Sequence, residues 1–251
     1  MRAGGWDVEL LEVGTLPLKG EMLGPEGAFP AQVTAPSNAL LLRRDDATVL
    51  VDAGAGPLHR LWPGSVGDLD AVLAAAGTSA QKVGTLVLTH LDFDHCGGAL
   101  TDVSSTAFTE ATAVASREAA ESVRAHEHDD WNPGRPVVEA YGEAGRLVEA
   151  GSGDVVAPEV VMRAAPGHRV GHSVIQIGDD LLFLADVVHH ASHVEHPDWD
   201  HGFDSDREVA LATRREVLAD AAASGITVAA SHIRGFGRIT EGPDGLRWQP
   251  V

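Results

Sequence analysis

Four apolar runs in this chain end in the same way: TVLV is followed by Asp52, TLVLT by His90, LLFLA by Asp186 and ITVAAS by His232. Such near-continuous apolar runs suit strands covered on both faces. A strand that ends in a carboxylate or an imidazole delivers that group to one edge of a sheet, where layered α/β folds gather their functional side chains. The recurrence constrains the fold more than any single run does, because it requires sheets whose polar ends meet.

Strands are predicted at Trp6 to Val13, Ala39 to Arg43, Thr48 to Val51, Val83 to Thr89, Ala111 to Ala115, Glu159 to Ala164, His172 to Ile177, Leu181 to Ala185 and Ile226 to Ser231. Helices are predicted at Leu69 to Ala76, Ser116 to Ala125 and Ser205 to Ser224. In the last of these, Ser205 and Glu208 have capping-box spacing, Val209, Leu211, Ala212, Val217 and Ala221 form an apolar stripe, and Gly225 stops the run. Strands in adjacent pairs with helices between the groups predict an α/β layered fold with mixed sheets. The 28 glycines and 13 prolines are scattered and read as punctuation, so residues 1–251 are expected to form one domain without linker or repeat.

A net charge of −19 disfavours a nucleic-acid partner, since such binding relies on Lys and Arg displacing counterions. No stretch approaches the roughly 18 apolar residues of a membrane span, and MRAGGWDVEL lacks the apolar middle of a signal peptide. The expectation is a cytoplasmic protein that engages neither membrane nor nucleic acid. Cys96 is the single cysteine, which excludes an intrachain disulfide and a thiolate-cluster site. Any metal must be held by nitrogen and oxygen.

THLDFDHCGG, residues 89–98, supplies donors for one: His90, Asp92, Asp94 and His95. Alternate residues of an extended turn point the same way while the last two diverge, so one segment could feed two ions on opposite sides of a loop. Gly97 and Gly98 are expected to let the backbone pass close to those ions. APGHRVGHS adds His168, with His172 four residues on as a hydrogen-bonding partner. The histidines and aspartates of HEHDD, residues 126–130, read as a solvated loop.

THLDFDHCGG resembles the H-x-H-x-D-H signature of the metallo-β-lactamase superfamily. Asp52 in VLVDAGAG, the His90 run, His168 in PGHRVGH, Asp186 in FLAD and His232 in SHIRGFG follow the order of that superfamily's motifs. The stretch from ADVVHH to LADAA looks like the branch of quorum-quenching lactonases and methyl parathion hydrolase. The resemblance runs from about Ala39 to Gly237 and implies a four-layer αβ/βα sandwich with metals at one sheet edge. It further implies one ion on His90, Asp92 and His168, a second on Asp94, His95 and His232, Asp186 bridging them, and Asp52 orienting a ligand from behind. Homodimerisation is expected from the family and has no support of its own in the chain.

Asp92 departs from the signature, which has histidine there. The added negative charge should weaken the pull on bound water, so that its pKa falls less from the aqueous-zinc value of about 9 toward about 7. Zinc is the expected metal, and the harder oxygen donor shifts preference toward iron or manganese. The same substitution leaves open a first ion that is loosely held or absent.

The resemblance implies a metal-dependent hydrolase in which a metal-bound hydroxide attacks a small lactone, ester or thioester, with Asp94 as the catalytic acid/base. No G-x-S-x-G motif offers a serine nucleophile. Pocket walls are expected from Met22, Leu23, Phe29, the segment around Trp131 and the loop His189 to Phe203. One histidine of that loop is a candidate proton donor, and most are expected to be surface or supporting polar groups. Two alternatives stand beside this reading: an iron-dependent redox enzyme on the same fold, and a binding protein that has lost turnover.

Overall fold

The computed structural model describes residues 1–102, 105–125, 134–243 and 245–251; HEHDD and Trp131 lie outside the described residues. Two sheets face each other. The first runs, in spatial order, Arg2–Ala3, Trp6–Lys19, Gln32–Arg44, Ala47–Val51, Thr85–Val87, Thr112–Ser116 and Leu147–Ala150, with Val66–Gly67 paired to the second of these strands. The second runs Gly245–Pro250, Ile233–Gly242, Thr227–Ala230, Leu181–Phe183, Ser173–Ile177, Val160–Ala164 and Val155–Ala157. Both are mixed. Ala47–Val51, Thr85–Val87, Thr112–Ser116 and Leu147–Ala150 are mutually parallel, and Leu181–Phe183 is parallel to Thr227–Ala230.

The period of two along each strand builds the layers. Leu40, Leu42, Val49, Val51 and Val87 point into the core between the sheets, where they meet Met162, Ile175, Ile177, Leu181 and Phe183. Their neighbours Leu41, Leu50 and Leu86 point outward, beneath Leu73, Ala119, Ala120, Val137, Val138 and Tyr141 of the helices Leu69–Ala75, Arg117–Ala125 and Gly134–Glu143. On the other side, Leu218 and Ala221 of the helix Arg207–Ser224 cover Val174, Leu182 and Val228. The result is the four-layer αβ/βα sandwich. Trp6, fully buried between the sheets, donates its Nε1–H to the Pro158 carbonyl at 2.8 Å, and its burial contributes on the order of 3 kcal/mol. Among the described residues no helix is long and apolar enough to cross a membrane.

Several expectations need correction. The long helix is capped by Asp206, whose carboxylate accepts from the Val209 amide at 3.1 Å, whereas the Ser205 hydroxyl turns to Arg169. Its buried face is Ala210, Arg214, Leu218 and Ala221, with Val209 exposed; the buried arginine disguised that stripe. The strands Leu147–Ala150, Val155–Ala157, Ile233–Gly242 and Gly245–Pro250 and the helix Gly134–Glu143 were not anticipated. Gly97 and Gly98 approach the loop after Asp52, not the site interior. A Cβ on Gly98 would stand 2.1 Å from the Ala53 carbonyl oxygen, and one on Gly97 2.5 Å from that of Ala55.

Candidate metal centre

The strand Thr85–Val87 ends where it does because the next amides find other partners. Leu88 N–H still bonds to the Val114 carbonyl at 2.8 Å, but Thr89 N–H goes to Asp52 Oδ1 at 2.9 Å, which lifts the chain out of the ladder and aims His90 inward. Asp52 itself sits at φ 60°, a left-handed conformation costly for a residue with a Cβ. Its carboxylate secures it, accepting from Thr89 Oγ1 and His95 Nδ1 at 2.9 Å each. Ala185, at φ 48°, makes the corresponding bend before Asp186.

His90, Asp94, His95, His168, Asp186 and His232 are buried and converge, and Asp92 is partly buried beside them. The donor atoms of His90, Asp92 and His168 lie within 4.8 Å of one another, and so do those of Asp94, His95 and His232. Asp186 sits in the middle: Oδ1 is 3.3 Å from His95 Nε2, while Oδ2 is 3.4, 3.5 and 4.0 Å from the Nε2 atoms of His232, His168 and His90. The four imidazoles share one orientation. Nδ1 of His90 faces Thr89 Oγ1, that of His95 faces Asp52, that of His168 faces Asp204 and that of His232 faces the Pro36 carbonyl, at 3.1, 2.9, 3.2 and 2.8 Å. Each of these partners accepts, so each neutral ring carries its proton on Nδ1 and turns the Nε2 lone pair inward.

Nε2 of His90, His95 and His168 and Oδ1 of Asp186 are buried without any hydrogen-bond partner. Leaving several such atoms bare costs on the order of 1–3 kcal/mol apiece. Bare imidazole nitrogens and carboxylate oxygens, fixed from behind and facing one another, are a donor set that fits divalent cations. The electrostatics agree. Burial lowers the His90 and His168 pKa well below the ordinary value, which keeps both rings neutral. Burial acts the same way on His95, but Asp186, Asp94 and Asp52 outweigh it and hold that pKa well above the ordinary value. Burial would raise Asp186, yet His95, His232 and His189 keep it well below the carboxylate range. The centre is thus built to hold positive charge.

Sequence reasoning missed two supports, Arg169 and Arg214, and placed a third, His189, only within a group of histidines without singling it out. Arg169 grips Asp92 with Nε to Oδ1 at 2.9 Å and Nη2 to Oδ2 at 2.7 Å. His189, expected among a mostly supporting group, puts Nε2 3.1 Å from Asp186 Oδ2; its place three residues after a strand-end carboxylate was the available signal. Arg214, buried, bonds to the Val187, Pro197 and Trp199 carbonyls, to Asp204 and to His201. Arginine only donates, so His201 Nε2 accepts and its Nδ1 carries the proton, whereas His189, donating from Nε2, has Nδ1 free to accept. Those two Nδ1 atoms are buried without partners in one cluster with His193. His172 donates from Nδ1 to the Ala165 carbonyl at 2.8 Å and accepts the Asp186 amide at 3.2 Å.

A cavity of about 260 Å³ opens onto Asp92, Asp94, His168, Asp186, His189 and His232. Its remaining walls are Leu16, Leu18, Trp62, Phe93, Arg169 and Phe203. Of the expected walls, His189 and Phe203 line it. Met22, Leu23 and Phe29 do not: Leu23 is wholly buried, and Phe29 packs against Trp199, His190 and His193.

The chain belongs to the metallo-β-lactamase superfamily, whose family model matches residues 34–223. It is 34% identical over 178 residues to proteins of Mycobacterium bovis and Mycobacterium tuberculosis described as probable metallo-hydrolases, over 61% of this chain and 57% of theirs. The chain therefore spans under two thirds of the length of these curated relatives. Among solved structures it resembles AidC, a dizinc quorum-quenching lactonase, with a TM-score of 0.87 at 20% identity over 100% of this chain and 96% of that one. It also resembles the hydrolase AbOPH, with a TM-score of 0.85 at 21% identity over 100% and 96%. The lactonase AiiA of Bacillus thuringiensis gives 0.72 at 17% identity over 92% and 94%. At such identities the likeness concerns the fold.

Proposed function

We propose that this chain is a metal-dependent hydrolase of a small lactone, ester or thioester, with two divalent cations held by His90, Asp92 and His168 and by Asp94, His95 and His232, and with Asp186 shared between them. The observation that carries this reading is the row of bare Nε2 atoms facing Asp186 beneath an apolar-walled cavity. Bound there, divalent cations polarise a carbonyl oxygen and make water acidic enough to supply the attacking oxygen near neutral pH.

The chain's own groups do the rest. Leu16, Leu18, Trp62, Phe93 and Phe203 exclude water from an acyl chain and fit a neutral substrate better than a phosphodiester. Asp94 lines the cavity with Oδ2 3.5 Å from the Nε2 atoms of both His95 and His232, where it can take a proton and pass it to the leaving oxygen. His95 and His232 keep its pKa below the ordinary value although burial opposes them. His189 Nε2–H, donated to Asp186 Oδ2 at 3.1 Å, steadies that carboxylate from the facing wall. An N-acyl homoserine lactone hydrolase of similar fold, carrying its product N-hexanoyl-L-homoserine at the catalytic metal centre, supports a lactone within this class.

Zinc is the metal proposed first, with iron or manganese favoured by the Asp92 oxygen. That oxygen is also what favours a second reading, an iron-dependent redox enzyme. Protein purified without added zinc should be analysed for metal content and ultraviolet–visible absorption, then assayed on lactones, aryl esters, thioesters and phosphotriesters. Metal-dependent turnover of an acyl substrate that is lost in Asp94→Asn is expected. A protein carrying two ions but inert on every acyl compound would sink the hydrolase reading.

A further inference from the structure

The residue that breaks the family signature has a dedicated partner. Asp92 Oδ2, the oxygen that Arg169 Nη2 holds at 2.7 Å, is also the oxygen that faces His90 Nε2 at 3.9 Å and His168 Nε2 at 3.8 Å. Arg169 Nε holds the other oxygen at 2.9 Å, so the carboxylate is gripped by a planar fork. The remaining donor, Nη1, fixes the fork in place through the His168 carbonyl at 2.9 Å, the Ser205 hydroxyl at 3.2 Å and the Phe203 carbonyl. Arg169 is the residue next to His168, so the loop that brings this imidazole to the site also brings the positive charge.

We infer that Asp92 and Arg169 act as one electrically neutral unit standing in for the signature's histidine, with Asp92 supplying the donor atom and Arg169 cancelling its charge. This rests on the proposed cation site at His90, Asp92 and His168. Arg169 thereby restores the site charge that Asp92 alone would remove, while the donor atom stays oxygen. The pair must then be exchanged together. Restoring the signature by Asp92→His alone strands a guanidinium beside a cation. A guanidinium without its carboxylate, tied by Nη1 to the His168 carbonyl at the rim of the site, opposes a cation there by Coulomb repulsion.

The test compares wild type, Asp92→His, Arg169→Gln and Asp92→His/Arg169→Gln by chelator-competition titration with Zn²⁺ and Mn²⁺, with metal stoichiometry measured directly. Asp92→His is expected to bind the first ion at least ~10-fold more weakly than wild type. The double variant should return to within about threefold of wild type for zinc, with weaker preference for manganese. Arg169→Gln alone should bind the ion more tightly, because the carboxylate keeps its charge without a counter-ion. The inference is overturned if Asp92→His binds as tightly as wild type, or if Arg169→Gln merely lowers the melting temperature of the metal-free protein and leaves affinity unchanged. A wild type that takes up one ion defeats the two-ion reading; the inference then holds if that ion binds more weakly in Asp92→His than in the double variant, and it is overturned if that ion's affinity is the same in all four proteins. A chain that takes up none overturns both.

Discussion

Asp52 and His95 meet in the protein interior, Oδ2 to Nδ1 at 2.9 Å, although one follows the strand Ala47–Val51 and the other lies on the short helix Phe93–Cys96. Asp52 cannot reach the centre of the site; it fixes the ring that does, and through Thr89 it fixes His90 as well. Asp52→Asn suits the left-handed backbone at this position, because asparagine tolerates it, but replaces an acceptor by a donor among groups that all donate. Metal affinity should fall by about 10–100-fold while the fold persists. Isothermal titration on the metal-free variant decides it, and an unchanged affinity would remove Asp52 from the site.

Acid should strip the two proposed ions in order. A raised pKa means a tightly bound proton, and that proton competes with a cation for the same nitrogen. Although burial opposes it, His95 is held well above its ordinary value by Asp186, Asp94 and Asp52, and His232 is raised by Asp186 and Asp94. Burial lowers His90 and His168, so protons compete weakly there. As pH falls, the ion on Asp94, His95 and His232 should therefore leave first and that on His90, Asp92 and His168 later. Metal content after dialysis at stepped pH should show two separate losses; simultaneous release, or the reverse order, contradicts the assignment.

The strand-end rule made the inner site legible because it depends on short sequence spans: an apolar run, then a carboxylate or an imidazole. Asp52, His90, Asp186 and His232 all arrive this way. What supports them was not legible, since Arg169 and Asp92 are 77 positions apart and Arg214 and Val187 are 27 apart. A buried arginine looks like a break in an apolar stripe until the carbonyls it satisfies are known. The strands Ile233–Gly242 and Gly245–Pro250 escaped for a related reason: their half-exposed, charged pattern carries no continuous apolar run. The cavity walls were misplaced because Leu16 and Leu18 extend a strand that was expected to stop at Val13.

Arg214 holds the loop after Asp186 from beneath. It donates to the Val187 carbonyl at 2.8 Å, the Trp199 carbonyl at 2.9 Å and Asp204 at 3.1 Å, and Asp204 in turn faces His168 Nδ1 at 3.2 Å. Arg214→Met keeps the length and leaves Asp204 and the carbonyls unpaired, which should cost about 3–5 kcal/mol. Arg214→Lys should recover little, because one ammonium cannot span the fork. Urea unfolding of the metal-free proteins measures both, as a lower midpoint at constant slope. A midpoint that stays at the wild-type value would show that the network adds nothing to stability.

Trp62 sets the far wall of the cavity. Its Nε1–H is satisfied by the Pro17 carbonyl at 3.0 Å, and its ring stacks on Phe93 at 5.7 Å between centroids, so the indole presents a fixed apolar face. None of the proposed metal ligands touches it through a hydrogen bond. Trp62→Ala should therefore act on substrate binding and spare the chemistry: KM for a long-chain acyl substrate rises about tenfold, that for a short-chain analogue hardly moves, and kcat stays within about twofold for both. Steady-state kinetics on a chain-length series distinguishes this from a general disturbance. Equal losses in kcat for short and long chains would mean that the indole supports the centre itself, and that the acyl group lies along another wall.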